Sequence, residues 1–448
     1  MRHLPLAILL AAFLPLGLRG GIDADTADLQ AQALQQAGRQ KTEPRNAHPD
    51  AQWFPDAGLG LFIHWGLASV SGTGDLSWGM LANKPWKDAT VTPNEYYALA
   101  RDWKPDRVNY EQMLTAAKAA GFTYAVMVTK HHDGFTLWPS EFGDLGTKST
   151  FGGRDFVKEF LEAGRKHGLK VGLYYSPPDW WFDRRYKNFA YRGGPLDMDH
   201  KPVKLPPKPK EHDARRAELV RGQVRELLTR YGKIDLIWFD GGRGEIANSE
   251  VRRLQPGIVI NRRNGSGGDY GDSEGKLPAK RFSDWFEKCD TCWPARKWSY
   301  SDDWGWNTAP EVIAKLVTLR AWGGNLLANV GPKADGSVPA PAVSAWKEMA
   351  AWMAHSRESV IGTTSGPWPD EVNTPVTLRP DAAYVHLLPD FKGEVVWTNA
   401  PAAIEARLLR TKETISFRYD GRNFRLAVPE GLRTTNVDVV KLKLMLQP

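Results

Sequence analysis

Residues 234–242 read IDLIWFDGG, an apolar run that stops on a carboxylate, Asp240, followed by two glycines. An apolar stretch without polar alternation marks a strand covered on both faces, as in a parallel sheet. Gly58–His64 (GLGLFIH), Tyr124–Thr129 (YAVMVT) and Lys170–Tyr175 (KVGLYY) have the same character. Gly257–Asn261 (GIVIN), Trp298–Ser301 and Asn325–Val330 add shorter candidates. Between these runs lie helical patterns at Asn109–Gly121, Asp155–Gly168, His212–Tyr231 and Pro310–Ala321, three of them stopped by glycine. Repeated strand-then-helix units predict an α/β fold, a (β/α)8-like TIM barrel. A doubly wound open sheet would want a glycine-rich phosphate turn after the first strand, where His64-Trp65-Gly66 stands instead.

The barrel pattern occupies residues 53–358. Residues 359–448 change character, with short alternating runs from Val376–Leu378 to Val437–Lys443 separated by Pro, Gly and Asp. They predict a small C-terminal antiparallel β-sandwich. Residues 25–52 form a polar N-terminal arm. Ahead of it, Arg2 and His3 precede the uncharged stretch Leu4–Leu18, the layout of a cleaved signal peptide over residues 1–24. The expected location is therefore periplasmic or secreted. That stretch is too short to span a bilayer comfortably, so no membrane span is expected.

The 448 residues are 42% apolar, enough for a large core. A net charge of +7 with scattered basic residues gives no reason to expect nucleic acid. Oligomeric state stays open. Cys289 and Cys292 are the only cysteines. In an exported chain they can pair as a disulfide or remain two buried thiols. The 19 Trp exceed both the 17 Phe and the 13 Tyr, more indole N–H groups than a core needs, so many are expected around a sugar-binding pocket.

In a barrel of this kind the chemistry sits where strands end. The strand-end residues are His64-Trp65, Lys130-His131-His132-Asp133, Tyr174-Tyr175-Ser176, Asp240-Gly241-Gly242 and Asn261-Arg262-Arg263. Asp240 is the strongest single candidate. Cleavage of a glycosidic bond needs a second carboxylate. Asp269, Asp272, Glu274, Asp284 and Glu287 are available, and Glu287 is favoured because its aromatic neighbours suit a neutral acid. A metal site would draw on His64, His131 or His132 and Asp240. The His-x-His of barrel metal hydrolases is missing, so no metal and no cofactor are expected.

IHWG at Ile63–Gly66, TKHHDGFTLWPS at Thr129–Ser140, GLYYSPPDW at Gly172–Trp180, IWFDGG at Ile237–Gly242 and GGNLLANVGPKADG at Gly323–Gly336 resemble the α-L-fucosidases of glycoside hydrolase family 29. The resemblance runs from about Trp53 to Trp368. It implies an exo-acting, retaining, metal-free hydrolase of terminal α-L-fucosides, acting on a fucosylated oligosaccharide or glycoconjugate. By its motifs Asp240 is the nucleophile and Glu287 the acid/base, with Glu274 in reserve. His64, Trp78, His131, His132, Tyr175, Trp238 and Arg263 match sugar-contacting positions, with Arg262 competing for the last. One departure stands out. Many members carry Glu-Trp where this chain has Ser77-Trp78, which opens two alternatives: a related α-L-glycosidase, such as one acting on L-galactosides, or a non-catalytic sugar-binding homologue.

Overall fold

The computed structural model describes residues 44–445 apart from 87–88, 266, 276–280 and 282. The expected signal peptide and most of the N-terminal arm lie outside the described residues.

Eight parallel strands form one sheet: β1 (Leu59–Ile63), β2 (Tyr124–Lys130), β3 (Lys170–Tyr175), β4 (Leu236–Phe239), β5 (Val259–Ile260), β6 (Gly271–Glu274), β7 (Phe286–Trp293) and β8 (Asn325–Val330). Their spatial order is β5-β4-β3-β2-β1-β8-β7-β6. A parallel bridge between Asn261 and Tyr270 joins the two ends and closes the barrel. The main outer helices are α1 (Tyr110–Ala119), α2 (Phe156–Lys166), α3 (His212–Thr229), α4 (Asn248–Leu254), α5 (Ala309–Ala321) and α6 (Ala340–Ser356). Local sequence sets where they begin. Asn109 caps α1, Asp155 caps α2, and Thr308 with Glu311 forms a capping box on α5.

The barrel strands β1 to β5 and β8 fall on the expected runs. β6 and β7 were not expected, and Trp298–Ser301 is not a strand. The cause is chemical. β6 reads GDSE and β7 reads FEKCDTCW, so the side chains they send into the barrel include carboxylates. Such runs carry none of the apolar continuity that marks a parallel strand.

The bottom of the barrel is plugged from the N-terminal side. The Phe54 ring stacks on Tyr270 with centroids 4.3 Å apart. The Asn325 side chain donates to the Phe54 carbonyl and accepts from the Gly58 N–H. Arg320, fully buried, donates to the carbonyls of Pro55, Gly324 and Thr363, tying plug, barrel and the following segment together.

Beyond α6 the chain forms two antiparallel sheets. The first, ordered β13-β16-β11-β10-β9, uses β9 (Thr364–Ser365), β10 (Val376–Arg379), β11 (Ala382–Leu387), β13 (Ala403–Leu408) and β16 (Asp438–Leu444). The second, ordered β12-β15-β14, uses β12 (Val395–Trp397), β14 (Phe417–Tyr419) and β15 (Phe424–Leu426). Val376, Val385, Trp397, Phe424 and Val440 share the apolar core of this region. It is anchored to the barrel by the Trp352 indole, which donates to the Val437 carbonyl, and by the Lys441–Glu358 ion pair.

Candidate active site

A cavity of about 370 Å³ opens at the carboxyl ends of the strands. Phe62, His64, His131, Tyr174, Trp238, Asp240 and Glu274 come to it from strands or strand ends. Asp75, Leu76, Trp78, Trp86, Tyr191 and Trp298 come from loops. Of the 19 Trp, then, four line the cavity. The expectation that many would surround the pocket is corrected: Trp65, Trp138 and Trp293 are buried scaffold. Trp138, for instance, donates to Glu226 on α3.

The strands sort their residues by parity, because successive side chains point to opposite faces. Tyr174 points into the barrel, where its hydroxyl donates to Asp240 Oδ2 at 2.8 Å. Tyr175, expected to touch sugar, points outward and donates to Gln223 on α3 at 2.7 Å. The inward tyrosine is therefore Tyr174. The same rule separates the cysteines: Cys289 packs in the barrel interior and Cys292 against the outer helical layer, and both are free thiols.

Asp240 follows β4 directly, and Gly241 adopts φ +82° to turn the chain away. Besides Tyr174, Asp240 receives Arg263 Nη1 at 3.2 Å. That nitrogen also donates to Glu274 Oε1 at 2.6 Å, while Arg263 Nε donates to Asp272 at 2.6 Å. Burial opposes the Arg263 charge, but the carboxylates of Asp272, Glu274 and Asp240 outweigh it and hold the guanidinium protonated. Its plane lies over the Trp238 ring, 4.4 Å from the centroid. Arg262 turns the other way and pairs with Asp284.

Three imidazoles complete the site. The Asn329 amide nitrogen is committed to the Trp298 carbonyl, so its oxygen accepts from His64 Nδ1. His64 Nε2 is thereby left without a proton, as an acceptor. His132 is set in the same way. Ser176 Oγ donates to the Pro178 carbonyl and accepts from His132 Nδ1. His132 Nε2 lies 3.7 Å from Asp240 Oδ2 and makes no hydrogen bond. Burial lowers both His64 and His132 to about 3, so both are neutral at ordinary pH. His131 Nδ1 is bonded to Ser77 Oγ. Ser77 is thus fully buried behind His131 and does not line the cavity; the carboxylate that does so on this loop is Asp75. Trp78 stands edge-on to His132, with centroids 5.6 Å apart. His131, His132 and Asp240 place one ligand atom each within 4.8 Å, the single grouping among the described residues able to hold a metal ion.

The loop after β2 is held from below. Lys130 pairs with Asp179 inside the protein, and Asp133 accepts from Tyr96 and from the Phe135 N–H. Gly134 has φ +88°, and a Cβ there would meet Asp179 Oδ1 at 2.3 Å.

Glu287 does not reach the cavity. Its residue is fully buried, and its carboxyl accepts from Tyr124 at 2.6 Å, Trp238 at 3.0 Å and Tyr270 at 3.3 Å. The register explains why. Asp272 of β6 is paired with Glu287 of β7, so the two share one interior layer. Glu274, two residues further along β6, faces the same way but stands roughly 6.6 Å nearer the mouth. The expectation of Glu287 as the acid/base meets a carboxyl set back from the cavity by two residues of strand; Glu274 stands at the cavity instead. Aromatic neighbours in sequence, Trp285 and Phe286, pointed to a neutral acid, but the groups that enclose the carboxyl are Tyr124, Trp238 and Tyr270 from other parts of the barrel.

Burial pushes the Glu287 carboxyl up to about 7; the hydrogen bonds from Tyr124 and Trp238 oppose this and the Asp272 charge adds to it. A carboxyl raised in the folded state contributes stability that is full below its unfolded value of 4.5 and is lost as pH rises through about 7. The loss amounts to roughly 3 kcal/mol. Glu287→Gln cannot ionise. Its melting temperature should therefore rise relative to wild type as pH goes from 4.5 to 7.5, and a difference that stays flat with pH would contradict this placement.

A (β/α) barrel whose mouth holds an Asp–Glu pair on one shared arginine, neutral imidazoles and indole rings defines a carbohydrate-cleaving hydrolase. Comparison with known proteins gives the family. The α-L-fucosidase family model matches residues 26–358. The chain is 28% identical over 360 residues to an α-L-fucosidase of Dictyostelium discoideum, covering 72% of this chain and 73% of that one. It is 28% identical over 378 residues to the human plasma α-L-fucosidase, covering 74% and 72%. Among solved structures, α-L-fucosidase isoenzyme 1 of Paenibacillus thiaminolyticus superposes with a TM-score of 0.75 at 28% identity, covering 89% of this chain and 99% of that one. A family 29 α-L-fucosidase of Bacteroides thetaiotaomicron, trapped as a covalent intermediate with 2-fluoro-fucosyl fluoride, gives 0.75 at 25% identity, covering 90% and 98%. The chain belongs to the α-L-fucosidases of glycoside hydrolase family 29 and is a glycoside hydrolase.

Proposed function

We propose that this α-L-fucosidase removes terminal α-L-fucosyl groups by double displacement, with Asp240 as nucleophile and Glu274 as acid/base. The observation that carries the pairing is the shared Arg263 Nη1, 3.2 Å from Asp240 Oδ1 and 2.6 Å from Glu274 Oε1. Those two oxygens can be no further apart than the sum of the two distances. That bound accommodates the 5–5.5 Å of a retaining pair. The covalent intermediate trapped in the Bacteroides relative supports the same chemistry.

Asp240 attacks the anomeric carbon from the cavity floor while Glu274 gives its proton to the leaving oxygen. Glu274 then takes a proton from water, which cleaves the fucosyl ester. Tyr174 and Arg263 hold Asp240 in line. His64 Nε2 accepts a hydrogen bond from a sugar hydroxyl, with His131 beside it, and Trp78 and Trp238 pack against the ring; His132, expected to touch sugar, is buried off the cavity and stands instead beside Asp240. Glu287 serves as a support, fixing the Trp238 indole from beneath.

The test is hydrolysis of an aryl α-L-fucoside followed by NMR before the product mutarotates. α-L-Fucose should form first; β-L-fucose would overturn the retaining mechanism. An α-L-galactoside run alongside tests the related-sugar reading. We further propose that residues 1–24 direct export, residues 53–358 carry the chemistry and residues 359–448 form the accessory sandwich. Secretion of a fused reporter by residues 1–24 tests the first.

A further inference from the structure

One wall of the cavity takes no part in the chemistry above. Asp75, Trp86 and Tyr191 line it, and none of them ends a strand. Trp86 stands edge-on to Tyr191, ring centroids 4.9 Å apart at 75°. Both rings are half-buried, whereas Phe62, Tyr174 and Trp238 on the floor are each 1% exposed. The aromatic pair therefore stands at the rim.

The rim is built, not incidental. The Trp86 indole N–H donates to Asp75 Oδ2 at 2.9 Å, and Lys84 Nζ donates to the same oxygen at 2.9 Å. The loops carrying the two rings are stitched by a parallel bridge between Ala82 and Ala190. Ala82 N–H donates to the Phe189 carbonyl, and Tyr191 N–H donates to the Ala82 carbonyl. With its only donor committed to Asp75, Trp86 has a carbon surface to offer a ligand. The cavity's two other half-buried indoles are held against the histidines, Trp298 on His64 at 5.0 Å and Trp78 edge-on to His132 at 5.6 Å, and so belong to the fucosyl end.

A fucosyl ring seated over Asp240 has its scissile bond directed at Glu274, which is itself half-buried at the mouth. Whatever the fucose is attached to must leave through that mouth, past Trp86 and Tyr191. We propose that Trp86 and Tyr191 form a platform for the second sugar of the substrate, the pyranose that carries the fucosyl group, and that Asp75 is a positioning residue that fixes the indole. The apolar C–H face of a pyranose is the surface such a pair complements. This rests on the fucosidase reading above.

The experiment compares kcat/KM toward α-L-fucosyl fluoride, which has no second sugar, with that toward an α-L-fucosyl-galactose disaccharide. Trp86→Ala and Tyr191→Ala should each lower disaccharide turnover by about tenfold, mostly through KM, and change the fluoride by less than about twofold. Asp75→Asn should show the same split more weakly, and Trp86→Phe should recover most of the loss. Equal losses on both substrates would place the wall against the fucosyl ring, and no loss on the disaccharide would remove the platform; either overturns the proposal. A wild-type protein inert toward both substrates would overturn the fucosidase reading itself.

Discussion

Asp240→Ala should give a folded protein whose kcat/KM toward an aryl α-L-fucoside is lower by about 10⁴-fold, roughly 5.5 kcal/mol of transition-state stabilisation. Without the carboxylate no fucosyl ester forms, and water alone must displace the leaving group. Folding should survive, because the substitution strands no charge. Arg263 keeps Asp272 and Glu274 as partners, and Tyr174 loses one acceptor at the edge of a polar cavity. The space vacated lies on the floor, beneath where the anomeric carbon must sit. Added azide should therefore restore turnover and yield β-L-fucosyl azide, the inverted product. Melting curves, kinetics and product NMR check the three parts. Residual activity above about 1% of wild type would count against Asp240 as nucleophile.

Glu274→Ala should split substrates by leaving group. General acid catalysis contributes about 10²–10⁴-fold, and only leaving groups that need a proton depend on it. For a fucosyl disaccharide kcat/KM should fall by about 10³-fold, while for α-L-fucosyl fluoride it should fall by less than about tenfold. The second step slows for every substrate, since no base remains to deprotonate water. Azide needs no base, so it should accelerate turnover and give α-L-fucosyl azide, the retained product. The opposite stereochemistry of the two rescued variants assigns the two carboxyls independently of their rates. Glu287→Gln should show no split between disaccharide and fluoride. A split there and none at Glu274 would return the proton-donor role to Glu287.

The contrast between these two glutamates also shows where sequence stops informing. Both follow β5, both stand near aromatic residues, and Glu287 has the more aromatic neighbourhood, with Trp285 and Phe286 directly before it. A signal for Glu274 was nevertheless present. The alternation Asp272-Ser273-Glu274 places two acids on one face of a strand, and Arg263 lies 11 residues upstream of Glu274. It was hard to use because GDSE does not look like a strand. Tyr174 against Tyr175 and Arg263 against Arg262 were adjacent pairs of the same residue type, for which composition offers no preference. Asn329 and Ser176, which set the tautomers of His64 and His132, lay inside quoted motifs without a visible role, because their work is done across strands.

By itself the chain determined its class. Apolar runs ending in His, Tyr and Asp, separated by helices and punctuated by glycine, specify parallel strands that carry chemistry at one end, and Asp240 follows from that alone. These signals are local, carried by strand continuity, caps and turns within a few residues. The tertiary structure alone decided which member of each neighbouring pair faces the cavity and at what depth. Facing depends on strand phase, and depth depends on register between strands distant in sequence. Both are fixed only when β5 and β6 meet through Asn261 and Tyr270 and the barrel closes. That closure puts Glu274 at the mouth, beside the arginine it shares with Asp240, and leaves Glu287 sealed one layer below.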